Sequence, residues 1–305
     1  MTVSPALQPA PLDDAAFAPT EPVPRSNWQL FRRRFFRHKL AWVSLVILTI
    51  LIVGCFGAKW LAPNPQGAQD FLVSSQGPSL AHPFGTDDLG RDQLSEIMYA
   101  GQISLMIGFF VAFLSTVVGV TVGAVAAYFG KVTDQGLSGV VDLFLILPDL
   151  AVLAVAIELF GNGSTSIILV LAALGWMSMA RVIRGQVLSL KQKEFVEAAR
   201  ASGASTNRIV IRHILPNCIG TIMVNATLAV AGAVGTEAAL SFLGFGIQPP
   251  QNSWGRMLSD TQAYTSNPDK FYLVFFPGFM LVLTLLAVNF LGDALRDAFD
   301  PQSAH

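Results

Sequence analysis

Charged residues are scarce in this chain, at 13% of 305 residues, where a soluble domain carries about 25%. With 52% of residues hydrophobic, that deficit excludes an ordinary water-soluble globule and points to an integral membrane protein. Cysteine is almost missing: Cys55 and Cys218 fall near opposite faces of the predicted membrane region, which excludes a disulfide between them, and neither spacing suits a metal. The four histidines, His38, His82, His213 and His305, lie on separate loops and tails, so a metal or catalytic cluster is not expected. A net charge of -1 argues against a general nucleic-acid partner, although Arg32 to Lys39 can meet lipid headgroups locally. A phosphate-binding loop is also lacking. Phe129-Gly130-Lys131-Val132-Thr133 has the Gly-Lys pair, but Val125 stands where the first glycine belongs and Val132 where Ser or Thr belongs. No cofactor, metal or catalytic residue is therefore expected in this chain, and any ATP hydrolysis that drives it must take place on a partner.

What the chain has in abundance is long apolar runs. They occur at Leu40–Ala58, Ile103–Phe129, Gly139–Phe160, Ser164–Ala180, Ile219–Leu240 and Phe271–Leu291, each long enough to cross about 30 Å of hydrocarbon. The expected fold is all-α, with six transmembrane helices. The third run carries Asp142, Asp149, Glu158 and Pro148, and is read as a span whose proline is tolerated because neighbouring helices can re-satisfy the backbone. With the N-terminus placed inside, only Lys59, Arg91, Arg256 and Lys270 of the 19 Lys and Arg fall outside, as the positive-inside rule requires. Both termini are then cytoplasmic. The first run is not expected to be a cleaved signal, because it follows some forty residues and Lys59-Trp60-Leu61-Ala62-Pro63 offers no small-x-small cleavage site. Residues 1–27 read as a disordered, proline-rich tail. Residues 28–60 read as a basic anchor and first span, 61–101 as an outer segment, and 102–301 as a core of five helices with an inner loop at 181–217. Gln93–Ala100 is expected to lie along the outer membrane surface, and Trp254 at the outer interface. Gly119 and Gly123 have the spacing that lets two helices approach closely.

The inner loop is the best candidate for a grip by another protein. Glu194 to Ala201 are strong helix formers, and Gly203 suits a left-handed C-terminal cap. Ser205 or Thr206 can start a second helix that places Ile211, Ile214 and Leu215 on one face, and Pro216 should break or kink it. Phe195 and Val196 are read as apolar anchors, and Ala198 and Ala199 as low relief over which a partner can approach. Glu197 calls for a basic or amide-rich groove on that partner. The bland alternative is an amphipathic helix lying on the inner leaflet.

Glu197-Ala198-Ala199, followed by Gly203, Ile211 and Leu215-Pro216-Asn217, resembles the EAA motif of ABC importer permeases. The resemblance extends to His82–Asp92, to Leu240–Pro250 with Ser253-Trp254-Gly255, and to Asn289–Asp297, all similar to the C-type permease subunit of dipeptide/oligopeptide importers, a family that also carries nickel complexes and glutathione. It spans residues 28 to 301. The resemblance implies a type I importer fold in the bacterial inner membrane and a heterodimer with a B-type permease subunit. It also implies two ATP-binding cassette subunits that carry ATP and Mg, and an external solute-binding protein. In that setting Phe195, Val196, Glu197, Ala198, Ala199, Arg200, Gly203, Ile211, Leu215 and Pro216 would dock on an ATPase.

Asp142, Asp149, Glu158 and Glu237 lie at or within the predicted spans, where a carboxylate faces a cavity or a partner helix by default. No intramembrane Lys, Arg or His is in evidence as a mate. They support the alternative reading of a self-contained proton-coupled transporter or channel. Asp87, Asp88, Arg91 and Asp92 could hold an ion, but opposite charges this close more often brace a loop against itself.

Overall fold

The computed structural model of the protein describes residues 27–299. The expected tail lies outside them except for Asn27, which opens the first helix. In chain order the helices are α1 (Asn27–Arg37), α2 (Lys39–Phe56), α3 (Ala58–Leu61), α4 (Gln93–Phe129), α5 (Lys131–Ile146), α6 (Asp149–Phe160), α7 (Ser164–Leu190), α8 (Glu194–Ala201), α9 (Thr206–Ile209), α10 (Ile219–Phe242), α11 (Trp254–Asp260) and α12 (Tyr272–Phe299). Among the described residues there is no β-sheet, only one isolated bridge between Thr86 and Asp92.

Among the described residues, five helical stretches are long and apolar enough to cross a membrane: α2, α4, α7, the run Thr206–Phe242, and α12. They match five of the six expected runs. The third run differs, because α5 and α6 meet at an 89° bend and make a sixth span only if the broken pair is counted as one. Pro148 disfavours helical geometry at the residue before it, and Leu147 is extended (φ -71°, ψ 143°). The neighbouring helices do not restore the broken turn.

A second correction concerns Gln93–Ala100. This run is the first part of α4, continuous with the span, and Asp92 caps it by accepting from the Ser95 amide at 2.9 Å. Nor does Trp254 present its ring to lipid. It is fully buried, and its indole donates to the Ile97 carbonyl at 2.9 Å.

Small residues set the central packing. A Cβ on Gly119 would stand 2.6 Å from the Trp176 carbonyl oxygen, and one on Gly123 would stand 2.5 Å from that of Ala180. Only glycine lets α4 and α7 approach this closely. The apolar interior then divides along the bundle. One cluster joins Ile107, Leu153, Ile167 and Leu240. A second joins Ala127, Ile183, Val187, Val196, Ile209 and Ile214 at the end where the 191–218 loop sits. At the opposite end Cys55, Ile97 and Trp254 tie α2, α4 and α11 together.

The long segment between α3 and α4 is braced against itself and against the chain near α12. Arg91 Nε pairs with Asp87 at 2.6 Å. Asp88 accepts from Ser75 at 2.5 Å, from Lys270 Nζ at 2.5 Å and from the Tyr264 hydroxyl. These bonds, led by the Lys270 ammonium, lower the Asp88 carboxyl to about 2.

Candidate functional site

The loop after α7 forms a compact ridge. The acidic side chains Glu194 and Glu197 occupy the first turn of α8 and complement its dipole. The helix ends as its sequence demands. Gly203 takes φ +78°, its amide donates to Arg200 O at 3.0 Å, and the Ala204 amide donates to Ala199 O at 3.1 Å. These two bonds make a Schellman cap.

The side chains of α8 divide between two environments. Val196 is fully buried, in the same cluster as Ile183 and Val187 of α7, so it anchors α8 to its own bundle rather than to a partner. Phe195 is 41% exposed. Glu197, Ala198 and Arg200 are exposed, and Ala199 is half-buried.

The chain beyond α9 departs from the expected amphipathic helix. Val210–Ile214 is a π turn and Leu215–Cys218 a 3-10 turn, after which α10 begins without a break. The wide turn rotates the register. Ile214 is therefore buried, Leu215 is half-buried and Ile211 stands 66% exposed, so the three do not share one face. Pro216 does not end the helix. Its missing amide falls where the turn changes type, and Asn217 Nδ2 donates to the freed His213 carbonyl at 2.7 Å. Ser205 holds the N-cap position of α9 without a side-chain bond.

Sequence reasoning missed what ties this loop to α4. Lys191 Nζ donates to the carbonyls of Tyr128 at 2.7 Å and Ala127 at 3.3 Å, capping the last turn of α4. The available signal was a lysine just past α7 and a glycine, Gly130, closing α4.

The four intramembrane acids are not brought together. Asp142 pairs with Arg181 at 2.6 Å, and Asp134 holds Arg184 through two bonds of 2.5 and 2.7 Å. The expectation that no cation is available fails here, because α7 runs on past residue 180 and presents its arginines to α5. Asp149 caps its own neighbour, Leu150, at 2.8 Å and lines a cavity of about 330 Å3 with Ser115, Ser178 and Thr236. Glu158 is exposed. Glu237 is fully buried, accepting from Ser241 at 2.6 Å and Ser253 at 2.7 Å.

Comparison with known proteins places this architecture. Residues 119–305 match the family described as binding-protein-dependent transport system inner membrane component. Residues 26–78 match the N-terminal TM domain of oligopeptide transport permease C. The oligopeptide transport system permease protein OppC of Haemophilus influenzae is 41% identical over 91% of this chain and 89% of its own length. The dipeptide transport system permease protein DppC of Bacillus subtilis is 40% identical over 88% of this chain and 84% of its own. Among solved structures, an inward-facing MetNI methionine ABC transporter chain superposes with a TM-score of 0.55 at 22% identity, covering 67% of this chain and 96% of that one. That likeness concerns the fold. The chain belongs to the inner-membrane permeases of binding-protein-dependent ABC importers, within the C-type dipeptide/oligopeptide branch.

Proposed function

We propose that this chain forms half of the translocation pathway of an ATP-driven importer of short peptides and receives the ATPase stroke through α8. A B-type permease subunit completes the pathway. Two ATP-binding cassette subunits, which carry ATP and Mg, bind at the α8 end, and an external solute-binding protein delivers cargo at the other. Both termini lie on the cytoplasmic side of the bacterial inner membrane, where the basic loop after α7 also falls. The peptide assignment rests on relatives named as oligopeptide and dipeptide permeases.

One observation carries the coupling role. Phe195, Ala198 and Ile211 stand exposed on a ridge held from beneath by Val196, Ile209 and Ile214. An apolar ridge beside Glu197 and Arg200, on a loop rich in cations, suits helix-in-groove docking. The scatter of the four carboxylates offers the proton-coupled alternative no relay.

Cysteines at Ala198 or Ile211, paired with cysteines in the cleft of an ATPase subunit, test the assignment. Oxidation should join the two chains in the assembled complex, with a yield that changes on ATP binding. Reaction with lipid-phase reagents alone, in a complex still importing peptide, would overturn it.

A further inference from the structure

A cavity of about 580 Å3 opens between the first turns of α4, the 249–252 loop and α11. It lies at the end of the bundle opposite α8, about 40 Å away along α4 at 1.5 Å per residue. Its volume falls within the range of small-ligand sites, about 300–1,000 Å3. Its wall carries charges of both signs: the cations Arg91 and Arg256, and the carboxylates Glu96 and Asp260, with Tyr99 and Gln102 between them.

Glu96 is only 5% exposed, and the bond described for it is one amide, Gly67 N to Oε1 at 2.7 Å. A carboxylate buried to that degree is costly unless a cation or several donors meet it. The arginines also keep capacity. Arg91 gives Nε to Asp87 at 2.6 Å, and Arg256 is shared between Asp260 at 2.8 Å and Gln248 Oε1 at 2.8 Å, whereas each guanidinium has five N–H groups.

A cavity with two cations, two anions and side-chain amides complements a small zwitterion that has amide groups of its own. Every unblocked peptide has that chemistry whatever its side chains. We propose that this cavity is a waypoint for the cargo, in which Glu96 and Asp260 receive the peptide ammonium and Arg91 and Arg256 its carboxylate. The assignment rests on the importer reading above. It adds that selection for free peptide ends is built into the permease itself.

The test uses the complete complex in liposomes of phosphatidylcholine and phosphatidylglycerol, with binding protein saturated by trialanine. The readout is peptide accumulated per ATP hydrolysed. Glu96→Gln removes the charge and keeps the acceptor for Gly67, while Asp260→Asn acts on a half-exposed carboxylate (51% side-chain exposure) whose surface ion pair with Arg256 contributes little to folding. Each should lower the ratio about tenfold, the effect of one charge-assisted bond. A purely structural role would leave the ratio where it is. A trialanine analogue with a benzoylphenylalanine side chain should label the segment containing Tyr99 and Gln102 during turnover. Unchanged ratios in both variants, or labelling confined to other segments or to lipid, would overturn the waypoint while leaving the importer reading intact. A wild-type complex that accumulates no peptide would overturn both.

Discussion

Gly203 is constrained by conformation alone. Its φ is +78°, yet a Cβ built there meets nothing within 4 Å, so any effect of a side chain must come from the backbone. Holding an L-residue in the left-handed region costs about 1–2 kcal/mol, with a β-branched residue at the upper end and Asn at the lower. The cap equilibrium should then shift by about 5- to 30-fold. An eight-residue helix is too short to hold itself in water, so α8 depends on this cap and on the burial of Val196. Hydrogen exchange at the amides of Gly203 and Ala204, which donate to Arg200 and Ala199, reads the cap directly in the assembled complex. Gly203→Val should lose about 5- to 30-fold of protection there, and Gly203→Asn much less. Peptide uptake driven by ATP should fall in the same order, while membrane insertion is unaffected. Native protection and uptake in the Val variant would refute both the cap energetics and the coupling role of α8.

Three further outcomes are expected. Arg184→Glu should destabilise the complex in thermal unfolding by about 1 kcal/mol. Adding Asp134→Arg to it should restore most of the loss, because the pair is bidentate. Lys191→Met removes the donor to the last carbonyls of α4 and should speed exchange in that turn by a factor matching about 1 kcal/mol. Asp88 makes the segment between α3 and α4 acid-sensitive. Its carboxyl is lowered from 3.8 to about 2, so its stabilising contribution is complete above about pH 4 and lost as pH falls through 2. Pepsin nicking of the segment Ala62–Asp92 should accelerate over that window in the wild type, whereas Asp88→Asn should be nicked readily at every pH within it. Equal pH dependence in the two would show that Asp88 is not the tether.

Helix content and five of the spans were legible because apolar runs of this length have few other uses. The cap at Gly203 was legible too, since a glycine after a run of helix formers has a defined backbone role. The break at Pro148 could be seen but not weighed, because whether neighbours repair a proline depends on packing that one sequence does not display. The burial of Val196, and the separation of Ile214 from the face of Ile211, were not legible for a related reason. Apolar residues on a short amphipathic helix suit a partner or the chain's own interior equally well, and the π turn at Val210–Ile214 shifts the faces in a way that a regular period cannot anticipate. Arg181 and Arg184 were counted with the loop because the apolar run stops at residue 180. The helix does not stop there, since a long side chain can lie along it and meet a carboxylate.

The placement of Val196 says how a stroke at α8 could travel. Val196 packs in one cluster with Ile183 and Val187 of α7, Ala127 of α4, and Ile209 and Ile214 ahead of α10. Close-packed interiors transmit displacement rather than absorb it, so α8 cannot shift far without moving the ends of three spanning stretches. The tie to α5 is of another kind: two ion pairs from Arg181 and Arg184, beyond which the chain turns through 89° into α6. On the proposed reading, α4, α7 and α10 move with α8 as a unit, and α6 goes with them because its Leu153 and Ile157 pack in one cluster with Ile107, Ile167 and Leu240, while α5 follows through polar tethers that can re-form in a second register. Asp149 lies just past that bend, on the wall of the 330 Å3 cavity that Phe144 of α5 also lines. A stroke that shifts α5 against the packed unit therefore reshapes the cavity without requiring that unit to deform.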